Sequence, residues 1–149
     1  MRYGRIWSKV LSKDEKIKYE FSVGDLYRYV GWILLSILGL GVAIHLWWLG
    51  VVLIFLAWFY FGFYLKTANA FAFTNRRVLI YRGWLSTEMI SVDYDKITDI
   101  SVIEPIIERL ITKTGHLTIN TAGTEKAEIV LKHITHPYEV KKKLDMLRK

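Results

Sequence analysis

The fold is decided by Val30-Gly-Trp-Ile-Leu-Leu-Ser-Ile-Leu-Gly-Leu-Gly-Val-Ala-Ile44, which continues through His45-Leu-Trp-Trp-Leu-Gly50 to Leu65. These 36 residues contain no Asp, Glu, Lys or Arg. One straight helix of that length would measure roughly 54 Å at 1.5 Å per residue, against a hydrocarbon core of about 30 Å. Tilt does not absorb the difference. Two helices joined by a tight turn do. The turn is expected at residues 45–50, since His45 is the only side chain of the run with an ordinary pKa near neutral pH and Gly50 permits a reversal. A transmembrane hairpin over residues 25–66 follows, with helices near 25–44 and 49–66.

The flanks support that reading. Tyr27, Tyr29 and Trp32 mark one end, Trp47 and Trp48 the turn, and Trp58, Tyr60 and Tyr64 the return. Trp and Tyr favour the headgroup level, where the ring is half buried and its polar atom is wet. Arg28 and Lys66 are the nearest cations, so Tyr27, Arg28, Tyr29, Trp47, Trp48, Tyr64 and Lys66 are the expected interface anchors. Trp58 could instead pack between helices. Seven Lys and Arg precede Val30, the turn has none, and Lys66, Arg76, Arg77 and Arg82 follow. Positive residues stay on the cytoplasmic side, which predicts a multi-pass cell-membrane protein with both termini cytoplasmic. Ser36, Gly39 and Ala43 supply a small-residue stripe for helix packing, within the hairpin or between copies.

Outside this run the composition is that of an ordinary domain. The chain has 149 residues, 52% apolar and 23% charged, with net charge +7 and no cysteine. The length suits one domain. The absence of cysteine excludes disulfides, Cys-ligated zinc and a thiol nucleophile.

Three regions follow: an N-terminal segment 1–24, the hairpin 25–66 and a domain 69–149. From Asn69 onward the apolar period becomes two, the strand period. Strands are expected at 70–74, 77–82, 87–94, 98–102, 116–121 and 127–131, with turns at Asn75-Arg76 and Ala122-Gly123-Thr124. In 87–94, Ile90, Val92 and Tyr94 share one face and Met89, Ser91 and Asp93 the other. Pro137, Glu139, Val140, Leu144 and Leu147 outline a closing amphipathic helix. Before the membrane, Ile17, Tyr19, Phe21 and Val23 alternate without exception. This 16–23 strand needs partners for its backbone and is expected to join the later sheet. Residues 1–11 have amphipathic helical spacing and could lie on the membrane, pack on the domain or meet a second subunit, with protein contact preferred.

Seven strands with a closing helix is the pleckstrin-homology layout. The run Phe73-Thr-Asn-Arg-Arg-Val-Leu-Ile-Tyr-Arg-Gly-Trp84, then Ile97-Thr-Asp-Ile100, Glu108-Arg-Leu110, Gly115-His-Leu-Thr-Ile119, Thr121-Ala-Gly123 and Pro137-Tyr-Glu-Val140, resembles the bacterial pleckstrin-homology-like membrane proteins with two membrane helices. The resemblance implies a membrane-anchored, mainly-β protein: a helical hairpin plus a seven-stranded barrel or sandwich with a C-terminal helix. Members often carry Gly soon after the Arg-Leu pair. Here the loop runs Arg109-Leu-Ile-Thr-Lys-Thr-Gly115.

A short link after the hairpin holds the domain at the membrane, and a meander then turns alternate loops toward it. Those near loops are 83–86, 103–114 and 132–137. They hold Arg82, Trp84, Leu85, Ile106, Ile107, Leu110, Ile111 and Lys113, a mixture suited to an anionic leaflet, where each basic residue contributes about 1 kcal/mol. The same aliphatic residues could instead plug the end of the barrel. Arg76 and Arg77 point to opposite strand faces and are expected to stabilise a turn or be solvated. His116 stands alone, His133 and His136 do not converge, and the acidic residues read as a solvated face. No metal site, catalytic set or cofactor is therefore expected. The leading expectation is a non-enzymatic scaffold for membrane protein partners or self-assembly on the anionic inner leaflet. Headgroup sensing is second and a transporter subunit third. Nucleic acid is not expected.

Overall fold

A computed structural model of the chain describes residues 3–122 and 128–148. The expected turn at 122–124 and the start of the strand at Ala127 lie largely outside the described residues, as do Met1, Arg2 and Lys149. The elements are α1 (Gly4–Trp7), β1 (Ile17–Phe21), α2 (Asp25–Ala43), α3 (Trp47–Thr67), β2 (Asn69–Thr74), β3 (Arg77–Arg82), β4 (Glu88–Asp93), β5 (Ile97–Ile103), β6 (Thr114–Thr121), β7 (Glu128–Thr135) and a C-terminal helix, Pro137–Arg148.

The strands form two antiparallel sheets, β1-β2-β3-β4 and β5-β6-β7. They make a sandwich and do not close into a barrel. The 3-10 turn Tyr94–Lys96 carries the chain from one sheet to the other. Alternation sets the core. Phe71, Phe73, Val78, Ile80 and Val92 of the first sheet meet Ile100, Leu117, Ile119, Ile129 and Leu131 of the second, and Val140 and Leu144 of the C-terminal helix join the same core. Each such side chain contributes roughly 1.5–3 kcal/mol by leaving water. Arg148, in the last helical turn, donates to the Ile97 carbonyl at 2.6 Å, and Lys143 sits 3.7 Å above the Tyr19 ring.

β1 pairs with β2, Phe21 opposite Phe71 and Ile17 opposite Thr74. The chain before it covers the outer face of the first sheet. There Trp7 is fully buried on Ala70, Ala72 and Leu79, with Met89 and Tyr81 at the margin. Of the three placements open to residues 1–11, the described residues pack on the domain, and the regular helix is only Gly4–Trp7. The small side chains of Ala70 and Ala72 leave room for the indole, so β2 and β3 are buried on both faces.

The two apolar helices are long and apolar enough to cross a membrane. Their turn is tighter than the expected 45–50: α2 ends at Ala43 and α3 begins at Trp47. Gly50 is a contact residue and not a hinge. A Cβ there would come within 2.4 Å of the Ala43 Cβ and 2.5 Å of the Gly39 carbonyl oxygen. A Cβ on Gly39 would strike Ile54 at 2.8 Å. Gly39 and Ala43 thus serve close packing inside the hairpin. The Ser36 hydroxyl is buried with no partner among the described residues. Trp47 and Trp48 are exposed at the turn. The lower half of α3, Trp58–Tyr64, is π-helical, a rare widening of the helix that often accompanies functional sites.

Candidate functional site

The base of the hairpin meets the domain through the three near loops. In the first, Trp84 stands edge-on to Phe59 and Phe63 of α3, with ring centroids 5.6 and 5.5 Å away. Leu85 beside it is 88% exposed. In the second, Ile107, Ile111 and Thr112 face Tyr27, Val30 and Leu34 of α2 across an apolar crevice of about 180 Å³. Ile106 and Leu110 project away, 77% and 75% exposed. These aliphatic side chains do not plug the sandwich, because Ile106, Ile107, Leu110 and Ile111 all stay more than half exposed. Arg82 does not lie on this rim as a free cation; its guanidinium donates to the Val130 carbonyl and ties β3 to β7. Lys113 is exposed with φ 52, in the left-handed region. This is the stretch where the resembled family often carries glycine, and the strain falls on a lysine.

The expected third loop, 132–137, is for the most part strand, since β7 continues to Thr135, and this end of β7 carries a cluster that spacing alone does not reveal. β7 bulges: Lys132 and His133 together oppose His116, between the pairs Leu131–Leu117 and Ile134–Gly115. A bulge re-aims a side chain. His133, at φ 56, stacks on Tyr27 at 3.9 Å and 15°. Its Nδ1 lies 3.1 Å from Glu108 Oε2, and its backbone N–H donates to His116 Nδ1 at 3.3 Å. His116 Nε2 is 3.6 Å from Glu108 Oε1. Thr114 donates its hydroxyl to the same carboxylate at 3.1 Å. Gly24, at the head of α2, donates to the His133 carbonyl at 2.8 Å, and Val23 bridges to Ile134.

So His116 is not alone and Glu108 is not solvated: ligand atoms of Glu108, His116 and His133 lie within 4.8 Å of one another. That set could hold a cation, but its hydrogen bonds suit a clamp better. His116 Nδ1 accepts a backbone N–H, so its proton sits on Nε2, toward Glu108. A bound metal would need that nitrogen bare and the other one donating. Burial, the largest influence, lowers the pKa of His116 below its ordinary value, while Glu108 pulls the other way. Replacing Glu108 by alanine takes the acceptor from His133, removes the carboxylate beside His116 and leaves the Thr114 hydroxyl with Thr112 alone. We expect a loss of about 1–3 kcal/mol, read by thermal melting of the detergent-solubilised protein.

The other expected anchors divide. Tyr64 stacks on Tyr60, and Tyr29 is exposed. Arg28 is buried, and together with Lys66 it lines a cavity between the helices. On the far side, Arg77 is neither solvated nor a turn device. It forms a two-point ion pair with Glu15, Nε to Oε1 at 2.9 Å and Nη2 to Oε2 at 2.8 Å. Glu15 also accepts from the Thr74 hydroxyl at 2.8 Å, and its pKa falls to about 2, chiefly through Arg77.

A family model described as bacterial PH domain matches residues 25–148, so it includes both apolar helices. Among solved structures, a protein with a pleckstrin-homology domain from Shewanella loihica is similar with a TM-score of 0.54 and 14% identity, over 98% of this chain and 93% of that one. A pleckstrin homology domain from Shewanella amazonensis is similar with a TM-score of 0.55 and 12% identity, over 98% and 85%. At such identities the likeness concerns the fold. No curated protein matches.

Proposed function

The chain belongs to the bacterial PH domain family, and from that premise we propose that it is a non-enzymatic integral membrane protein whose domain rests on the cytoplasmic leaflet as a lipid-contacting module. The hairpin crosses the bilayer with both termini inside, and the sandwich lies against the headgroups through Leu85, Ile106, Ile107 and Leu110. One observation carries this reading: the exposed aliphatic side chains of the near loops adjoin the base of two helices whose outer faces are themselves apolar and exposed. A contiguous apolar surface of that kind marks a membrane or protein contact. Basic residues on both flanks, and none in the turn, support the orientation.

The scaffold reading stands second. It is favoured by the outer edges of the sheets, β4 in one and β5 in the other, which can accept an added strand.

The chain has no native cysteine, which permits a direct test. Single-cysteine variants His45→Cys, Leu110→Cys and Lys142→Cys are reconstituted in full-length form and labelled with an environment-sensitive dye. Brominated lipid should quench the probe at position 110 at least twofold more than the probe at 142. In intact cells a membrane-impermeant thiol reagent should reach position 45 and not 142. Equal quenching at 110 and 142 would remove the lipid contact and leave the scaffold reading. Protection of position 45 would remove the orientation.

A further inference from the structure

Between the lower ends of α2 and α3 lies a cavity of about 330 Å³. Its wall is an unusual mixture for a site between two apolar helices. Arg28 and Lys66 enter it beside Trp32, Trp58 and Phe61. Arg28 and Trp32 are four residues apart on α2 and therefore lie on one face. Trp58 and Phe61 come from the π-helical part of α3, whose wider turn spreads them apart.

Arg28 is the informative residue. It is only 8% exposed. One end of its guanidinium is held by Asp25, one turn earlier on the same helix. Its Nε is buried and finds no hydrogen-bond partner among the described residues. A buried guanidinium with an unused donor is costly, by about 1–3 kcal/mol or more for a charged group. The planar fork of arginine suits a phosphate or carboxylate. Arg28 and Lys66 outweigh Asp25 by one positive charge, so the cavity as a whole favours an anion.

We propose that this cavity binds a phosphate ester group, supplied by the headgroup of an anionic phospholipid. Arg28 grips the phosphate with the guanidinium that Asp25 leaves partly unpaired, Lys66 supplies the second charge, and Trp32, Trp58 and Phe61 take the glycerol and the first acyl carbons. The proposal rests on the membrane reading above, which sets the lower ends of α2 and α3 at the cytoplasmic headgroup level. There a basic pocket between helices meets lipid phosphate. The site is separate from the loops that carry Leu85 and Leu110, and it selects one lipid where those loops touch the leaflet at large.

The full-length protein is extracted in mild detergent and its intact mass determined, with phosphatidylglycerol, phosphatidylcholine or inorganic phosphate added in parallel. We expect one phosphatidylglycerol molecule retained per chain. Phosphatidylcholine should be retained at least fivefold less, and inorganic phosphate should not displace the bound lipid. Lys66→Gln, an exposed position, should reduce retention about tenfold, and Arg28→Gln should abolish it. Arg28→Lys keeps the charge without the fork and should give an intermediate value. Melting temperatures identify any variant that fails to fold, and Lys66→Gln then decides alone. No lipid on the wild-type protein, or equal retention in folded Lys66→Gln, overturns the proposal. Displacement by inorganic phosphate overturns the lipid source and identifies a soluble phosphate ester as the ligand. A wild-type chain that leaves the membrane in carbonate wash fails the underlying membrane reading instead, so the two failures are distinguishable.

Discussion

Replacing Trp7 by alanine should destabilise the domain by about 3–5 kcal/mol, as large aromatic truncations in a core do. Trp7 comes from a four-residue helix at the start of the chain, yet no part of it reaches solvent. Its ring lies on Leu79 and over Ala70 and Ala72, whose small side chains leave the outer face of the first sheet open without it. Its indole N–H donates to Glu20 Oε1 at 2.8 Å, and the same oxygen accepts the Tyr3 backbone N–H at 2.9 Å. Removal therefore opens a cavity and takes a donor from a half-buried carboxylate. Trp7→Phe keeps the six-membered ring but loses the pyrrole part and the donor, so its cost should be smaller, about 1–3 kcal/mol. Thermal melting should rank the two variants in that order, with alanine the larger loss. Equal small losses in both would mean that the N-terminal segment lies loosely on the sheet.

Replacing Glu15 by alanine should cost about 3–5 kcal/mol, because it strands Arg77 beside a half-covered face without its counter-ion. The Glu15 side chain is 1% exposed and all its acceptor capacity is directed at Arg77, Thr74 and the Ser12 N–H. The pair joins the N-terminal segment to the β2–β3 hairpin, across 62 residues of sequence. It also gives a pH signature. A carboxyl held at about 2 instead of its ordinary 4.5 stabilises the folded state fully above pH 4.5, and that stabilisation is lost as the pH falls toward 2. The shift corresponds to about 3 kcal/mol. Stability curves of wild type and Glu15→Gln against pH should therefore lie apart at neutral pH, approach each other below pH 4.5 and meet only near pH 2. Parallel curves would show that Glu15 carries no such linkage.

Much of the strand layout was legible because it rests on period. Alternation at Ile17–Val23 and from Ala70 onward marks residues with one face in a core, and β1 to β6 lie where those patterns run, while β7 continues past the expected 131 to Thr135 because a bulge at His133 interrupts its alternation. The C-terminal helix was legible for the same reason, with Pro137 at its first position. Closure into a barrel was not legible. Pairing between β4 and β5 depends on how the Tyr94–Lys96 turn directs the chain, and no periodicity reports that. The hairpin turn came out shorter than expected because Gly50 invites two readings, reversal or close contact. Only the opposing Ala43 and Gly39 decide between them.

The site was read in part. The aliphatic residues of 103–111 drew attention by their chemistry, and so did Trp84 and Leu85. Whether they faced inward or outward was open, and the structure turns them outward at the base of the hairpin. The histidine cluster was missed because its members are far apart in sequence and because a bulge, not a spacing, re-aims His133. Glu15 and Glu108 were missed because a single carboxylate among polar neighbours looks solvated until its partner is known.

By itself, the sequence determined that two apolar helices interrupt a β domain and that its charge lies on their flanks, because hydrophobicity and charge are properties of residues in order. The alternation at Ile17–Val23 also announced a strand that joins the later sheet, but only the tertiary structure decided that Trp7 and its neighbours cover that sheet's outer face, that Arg28 and Lys66 share one cavity, and that Glu108 lies between two histidines. Each of these depends on which distant residue supplies the missing partner of a buried polar or apolar group, and that becomes visible only when the chain is folded.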